Sequence, residues 1–352
     1  SYYSYGASLD STLITEYVPR AEIQNFKTLQ LSSISSESQA IDYAYLVSLL
    51  KTFTNESDLF LTIRGRLRST KFDFRLPGCD HRVDVSGVQI EVDAGFESQD
   101  KIYVLEAKIG KRDDFHIRQL YYPYRDWSIR TDKEVIPIFF IYTNGVFYLT
   151  EFRFGDKFGE LEVVRSQGFV VNEPVKQIIN LSEFVKTVPV ASEEPQGVPY
   201  PQANDLDKVI DLVTNFEGDT LNTKESIATF FDFDERQGDY YANAAIYLGF
   251  LKRDDDRGNT FELTPLGETL RRYNNRNQRN LLLLKQILAK PTFNTLLHDL
   301  IQLNCNLERL SLAHIADVIE ANTTLSGDTL RRRASTVKRW FQWICDNVEF
   351  TF

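Results

Sequence analysis

From Glu37 to about Phe53, ESQAIDYAYLVSLLKTF carries apolar residues at helical spacing behind an acidic first turn, which predicts a helix. The pattern then shortens. LFLTIRGRL, KFDFRL, VSGVQIEVD, KIYVLEAKI, VIPIFFIYT and GVFYLTEFRF each read as a strand. Between the fourth and fifth, DDFHIRQLYYPYRDW predicts a short helix that ends near Pro123, because proline removes a helical donor. A helix followed by a central sheet makes residues 1–188 a mixed α/β domain with an N-terminal extension.

The composition changes around residue 189. VPVASEEPQGVPYPQ packs four prolines among small and polar residues, so 189–204 is expected to be a linker. Helical patterns follow in DLDKVIDLVTNF, TKESIATFFDF and DERQGDYYANAAIYLGFL, then a charged turn KRDDDRGN and a strand TFELT. Three helices and a ribbon-like segment are the order of a winged helix, expected over 205–275. Thr264 and Pro265 suit the cap and first position of the next helix. Residues 276–352 predict a second helical, winged-helix-like domain, with a turn at Gly327 before a long basic helix.

Within the fourth strand and its predecessor, charges interrupt the apolar pattern. Residues two apart share a strand face, so Glu106 and Lys108 point together, as do Glu91 and Asp93. If the two strands pair across the AGFESQD turn, Asp93 and Glu106 converge beside Lys108. Two carboxylates at one point call for a cation or a proton. Mg²⁺ suits them, being held commonly by one or two carboxylates with phosphate and water, and the Ala107 carbonyl adds a further ligand. Lys108 would orient or deprotonate a water, with its pKa depressed by partial burial. A surface hairpin with cross-strand ion pairs is the plainer reading of the same residues. Asp84 and Glu91 compete with Asp93 for the acidic position.

Composition narrows the field. With 42% hydrophobic and 26% charged residues the chain is a folded protein, and no apolar run approaches the length of a membrane span. SYYSYGASLD has no charged-then-apolar leader pattern. Three scattered cysteines form no disulfide or zinc framework, so a reducing cytoplasm is expected. Cys79 and His81 in GCDHR lack a second Cys/His pair, and His116 reads as an ordinary helix residue. No GxGxxG, GxxxxGK[ST] or HExxH occurs, which leaves no nucleotide cofactor. A net charge of −10 argues against indiscriminate coating of nucleic acid, and leaves local patches to decide specific binding.

The apolar strand YVLEAKIG, preceded by IEVDAGFES and followed by FHIRQLYYPYR, resembles the PD-(D/E)XK nuclease superfamily, in particular restriction endonucleases with C-terminal winged helices. The resemblance covers about residues 36–155 and extends more loosely to DERQGDYYANAAIYLG and TLRRRASTVKRWFQWI. It implies a restriction-endonuclease-like α/β domain, with a mixed central sheet flanked by helices, plus a mainly α winged-helix region. It also implies a Mg²⁺-dependent, sequence-specific endonuclease acting on double-stranded DNA. Asp93 and Glu106 take the family's metal-binding positions and Lys108 that of its catalytic lysine. Glu37 matches an extra acidic residue near the metal, and Gln119 a polar residue facing the site. Val92 stands where the motif has proline. The spacing after Gln119 departs from the Q-x-x-x-Y of exonuclease-type members.

Basic residues supply the expected DNA contacts. Arg64, Arg66 and Arg68 alternate along one strand, and Arg118 follows on the next helix. Arg331, Arg332, Arg333, Lys338 and Arg339 crowd the last helix, while Arg236, Gln237, Tyr240 and Asn243 offer base-reading chemistry on DERQGDYYANAA. A palindromic target would be matched by a homodimer. Two other classes stay open: a non-catalytic winged-helix regulator, and a repair nuclease that recognises DNA shape.

Overall fold

A computed structural model describes residues 2–5, 9–19, 26–76, 81–218, 220–254 and 259–351. The chain divides into two units, Ser1–Glu173 and Pro174–Phe352. The strands of the first unit begin with β1 (Tyr2–Ser4), β2 (Ile14–Tyr17), β3 (Phe60–Arg68), β4 (Phe72–Arg75) and β5 (Arg82–Val85). They continue with β6 (Gln89–Glu97), β7 (Lys101–Ile109), β8 (Asp114–His116), β9 (Glu134–Thr143), β10 (Val146–Phe154) and β11 (Leu161–Val171). Seven of them form one mixed sheet in the order β2-β11-β10-β9-β7-β6-β3. β7 pairs parallel with β9 and β11 with β2, and the other neighbours run antiparallel. β1–β8 and β4–β5 are separate two-stranded ribbons.

Helices cover both faces of this sheet. α1 (Glu37–Leu46) and α2 (Leu49–Thr54) lie on the face of Phe96 and Tyr103: the Tyr45 ring sits 5.0 Å from Phe96, and the Tyr103 hydroxyl donates to Glu56 at 2.8 Å. α3 (Ile117–Arg130) supplies the crossover that the parallel β7–β9 pair requires. Its Tyr122 and Trp127 pack with Val92 and Val104 on the opposite face. Covered on both sides, β9 is buried from Val135 to Thr143, which explains its unbroken apolar run.

Four local features depart from the sequence pattern. The helix expected through Phe53 breaks after Leu46, where Ser48 adopts a left-handed backbone (φ 63°). α3 does not stop at Pro123 but runs through it, because Ile117, Leu120, Tyr121, Pro123 and Asp126 are all buried and this packing outweighs one missing donor. The VSGVQIEVD strand is split at Gly87 (φ 64°) into β5 and β6. β11, eleven residues long, lies outside the predicted strands.

The second unit opens with β12 (Gln177–Asn180) and α4 (Leu181–Lys186). α5 (Leu206–Thr214), α6 (Lys224–Phe231) and α7 (Glu235–Tyr247) follow, then the antiparallel ribbon β13 (Leu251–Arg253) and β14 (Phe261–Leu263). The expected helices and ribbon are therefore present in order, although the centre of the 252–259 turn lies outside the described residues. α8 (Pro265–Arg272) starts as expected, with the Thr264 hydroxyl accepting the Gly267 N–H. α9 (Arg276–Leu288), α10 (Pro291–Gln302), α11 (Leu312–Asn322), α12 (Asp328–Asn347) and β15 (Val348–Thr351) complete it.

The expected partition of this half is corrected. One hydrophobic core runs from Ile179 to Val348, so 205–275 and 276–352 are a single unit rather than two domains. Nor is 189–204 a tether. Tyr200 and Ala203 are buried, the Ala203 carbonyl accepts the Trp340 indole N–H at 2.8 Å, and the Ala191 N–H donates to Ala289 at 2.9 Å. Its prolines exclude helix and ladder, but docking onto the core needs neither. Among the described residues, no helix is long and apolar enough to cross a membrane.

Candidate functional site

The β6–β7 ladder pairs Glu97 with Ile102 through Ala94 with Leu105 and ends there. Asp93 is the first residue beyond it. In place of a backbone carbonyl, its Oδ2 accepts the Ala107 N–H at 2.8 Å. The N–H and C=O of one strand residue face the same neighbour, so the Ala107 carbonyl opens toward this gap as well. Glu106 lies on the Asp93 side and is only 5% exposed. Its Oε1 accepts from Lys108 Nζ at 2.5 Å and from Gln119 Nε2 at 2.6 Å. Lys108 Nζ also stands 3.9 Å from Glu37, in the first turn of α1. All five polar residues expected at the site are thus gathered at the end of β7.

Three carboxylates surround one ammonium here, and their titration reflects it. Burial pushes Glu106 up to about 7, with Lys108 opposing and Asp93 and Glu37 adding to the rise. Burial also raises Asp93, against the pull of the Ala107 N–H and Lys108, and raises Glu37 against Lys108. The depression expected for Lys108 is not found. Burial works to lower it, but Glu106 and Glu37 outweigh burial, and its pKa stands above the ordinary value.

This donor set fits a hard divalent cation. Among the described residues, Asp93 Oδ1 and Glu106 Oε2 accept no hydrogen bond. Nor does any group of three His, Cys, Asp or Glu side chains there have the placement to hold a metal by itself. A cation would take Asp93, Glu106 and the Ala107 carbonyl, and draw its remaining oxygens from phosphate and water, as Mg²⁺ commonly does.

The other predicted residues are distributed unevenly. Arg64 pairs with Asp42 at 2.5 Å, and Arg66 stands 3.5 Å from Glu91. Arg68 is exposed on the same edge strand, and Arg118 is exposed over the Tyr122 ring. Glu91 shares the Asp93 face but is exposed and engaged with Arg66. Asp84 is not at the site: it lies exposed in the β4–β5 ribbon, opposite Asp73. His81 is exposed, His116 caps α3 by accepting the Arg118 N–H at 3.2 Å, and Cys79 lies outside the described residues. Two contributors escaped the sequence reading. Asp42 holds Arg64, one helical turn beyond Glu37, and buried Arg112 draws Glu37 down. The only signal for Arg112 was its place just past the ExK strand.

In the second unit, Asn243 is corrected as a base reader. It is buried, its amide donates to Asp239 at 2.9 Å, and its carbonyl accepts from Arg253 at 2.8 Å. Arg236 lies over the Tyr240 ring and bonds to its hydroxyl, and Gln237 is half-buried. On α12, Arg331, Arg332 and Arg339 are exposed, Arg333 is half-buried, and Lys338 donates to the Leu310 carbonyl at 2.9 Å.

The sheet unit and the helical unit each correspond to a family model. Residues 5–170 match a domain of unknown function (DUF6997), and residues 208–349 match a second domain of unknown function (DUF7226). No curated protein and no solved structure matches the chain.

Proposed function

We propose that the chain is a Mg²⁺-dependent endonuclease of restriction type that hydrolyses phosphodiester bonds in double-stranded DNA. The observation that carries this reading is the meeting of Asp93, Glu106 and Lys108 where the β6–β7 ladder opens. The likeness to the PD-(D/E)XK superfamily in residue type and order supports it, as does the mixed sheet with helices on both faces. The second unit, with three helices and a ribbon in winged-helix order, is read as the part that holds DNA. A palindromic target would be met by a homodimer.

In this reading Asp93, Glu106 and the Ala107 carbonyl hold the ion, which supplies positive charge against the scissile phosphate. Gln119 and Lys108 fix Glu106 through one oxygen and leave the other open toward the gap. Lys108, kept protonated by its two glutamates, acts as a donor: it orients the attacking water and offsets charge on the phosphate rather than serving as the base. Glu37 positions Lys108. Each cut consumes one water and leaves a phosphomonoester end and a hydroxyl end.

Plasmid DNA incubated with the protein and Mg²⁺ tests this. Discrete bands are expected, and Glu106→Ala and Lys108→Ala should each abolish them while melting as folded proteins. Plasmid left intact across divalent metals and methylation states would overturn the reading.

A further inference from the structure

We infer that the helical unit grips duplex DNA by its phosphates through the outer face of α12, and that α7 does not read the bases. This deepens the DNA-cutting reading and rests on it for the choice of DNA as partner.

At 3.6 residues per turn, Arg331, Arg332, Ser335, Arg339 and Gln342 fall within an arc of roughly 100°. All five are exposed. From Thr329 to Cys345 the helix has no acidic residue, in a chain whose 50 acidic residues outnumber its 40 basic ones. Among the described residues, Arg331, Arg332 and Arg339 make no ion pair, whereas Arg64, Arg66, Arg253 and Arg271 each face a carboxylate. Asp328 and Asp346 stand on the same arc at the two ends of α12 without pairing with these arginines, so the stretch between them carries a net positive charge that a polyanion would offset.

The platform is rigid. On the reverse face Ala334, Val337, Trp340, Phe341 and Ile344 are fully buried, and the Trp343 indole donates to Asp207 at 3.0 Å. Arg333 lies about 100° beyond Arg332, on the packed side of the helix, with its Nε buried and without a hydrogen-bond partner. Burial holds Arg333 below the ordinary guanidinium value, with Tyr240 opposing and Arg332 adding to the fall.

Charge density selects duplex DNA over an acidic peptide. Arg331 and Arg339 lie about 12 Å apart along the helix axis, and duplex DNA carries one charge per ~1.7 Å of its own axis. One helix face therefore meets several phosphates together. α7 offers the opposite environment: Asp234, Glu235 and Asp239 surround Arg236, and Asn243 is buried.

The test is anisotropy of a labelled random-sequence duplex with the whole chain, in EDTA so that nothing is cut, over a salt series. Each phosphate contact adds about 0.9 to the slope of log affinity against log salt. Removing all three in R331A/R332A/R339A should therefore lower the slope by about 2–3 and weaken low-salt binding at least tenfold. R331K/R332K/R339K should keep most of the slope, and R236A/Q237A should change affinity less than twofold. An unchanged slope in the alanine triple, tighter competition by polyglutamate or single-stranded RNA than by duplex, or a large loss in the α7 variant would each overturn the inference. Binding without any plasmid cleavage would sink the nuclease reading and leave this one standing.

Discussion

Replacing Glu106 with glutamine keeps the side-chain shape and removes one buried charge, so its effect on stability should depend on pH. Burial raises this carboxyl from 4.5 to about 7. A raised folded-state value means that the stability linked to it is fully present below about 4.5 and is lost as pH climbs through about 7. At ~1.36 kcal/mol per pH unit between those limits, ionised Glu106 weakens the fold by about 2–3 kcal/mol more at pH 8.5 than at pH 5. Glutamine also forfeits the ion pair with Lys108. That attraction acts only on ionised Glu106 and already opposes its rise to about 7, so it leaves the slope intact. The assay is urea unfolding of both proteins at pH 5, 7 and 8.5 in EDTA, read by hydrogen exchange of the β6–β7 peptide so that the first unit is followed by itself. Wild-type stability minus variant stability should fall by about 2–3 kcal/mol from pH 5 to 8.5. Millimolar Mg²⁺ at pH 8.5 should restore the wild type and leave the variant unmoved. A difference flat with pH, or one that grows in favour of the wild type as pH rises, would refute the placement of Glu106 in a dry, carboxylate-rich gap.

Other outcomes follow from single contacts. Gln119→Ala removes one of the two donors to Glu106 and should slow plasmid cleavage about tenfold with the melting temperature little changed, since the residue is exposed. Glu194→Ala leaves the Tyr247 hydroxyl and the Thr292 N–H without their buried acceptor and should cost the second unit on the order of 3 kcal/mol in urea unfolding. Gly238→Ala would place a methyl 2.2 Å from the Lys224 carbonyl, where α6 meets α7, so loss of at least ~2 kcal/mol, or no folded protein, is expected on denaturation.

The part of the site written along the strands was legible from period-two alternation alone, because a hydrogen-bonded strand leaves a side chain only two directions to point. Asp93, Glu106 and Lys108 come from that rule. Glu37 and Gln119 needed the family resemblance to place them at the site. What was not legible depends on contacts distant in the chain. Nothing local marks Asp42 as the partner of Arg64, or Asn243 as enclosed between Asp239 and Arg253. The rise of Lys108 was misjudged for the same reason: desolvation is inferable from an apolar neighbourhood, whereas the second glutamate arrives from a helix over sixty residues earlier. Proline content likewise described the backbone of 189–204 correctly without revealing the surface onto which it folds.

That docking decides where this protein can be divided. β12 lies parallel to β15, Gln177 beside Val348, so the first and last strands of the helical half close on each other. Glu194, well before α5, is anchored to α7 and to the start of α10. A fragment trimmed to begin at residue 205 would lose the strand that seals its own C-terminus and expose the indole-bearing side of α12. An excision meant to yield an autonomous piece belongs between Glu173 and Pro174.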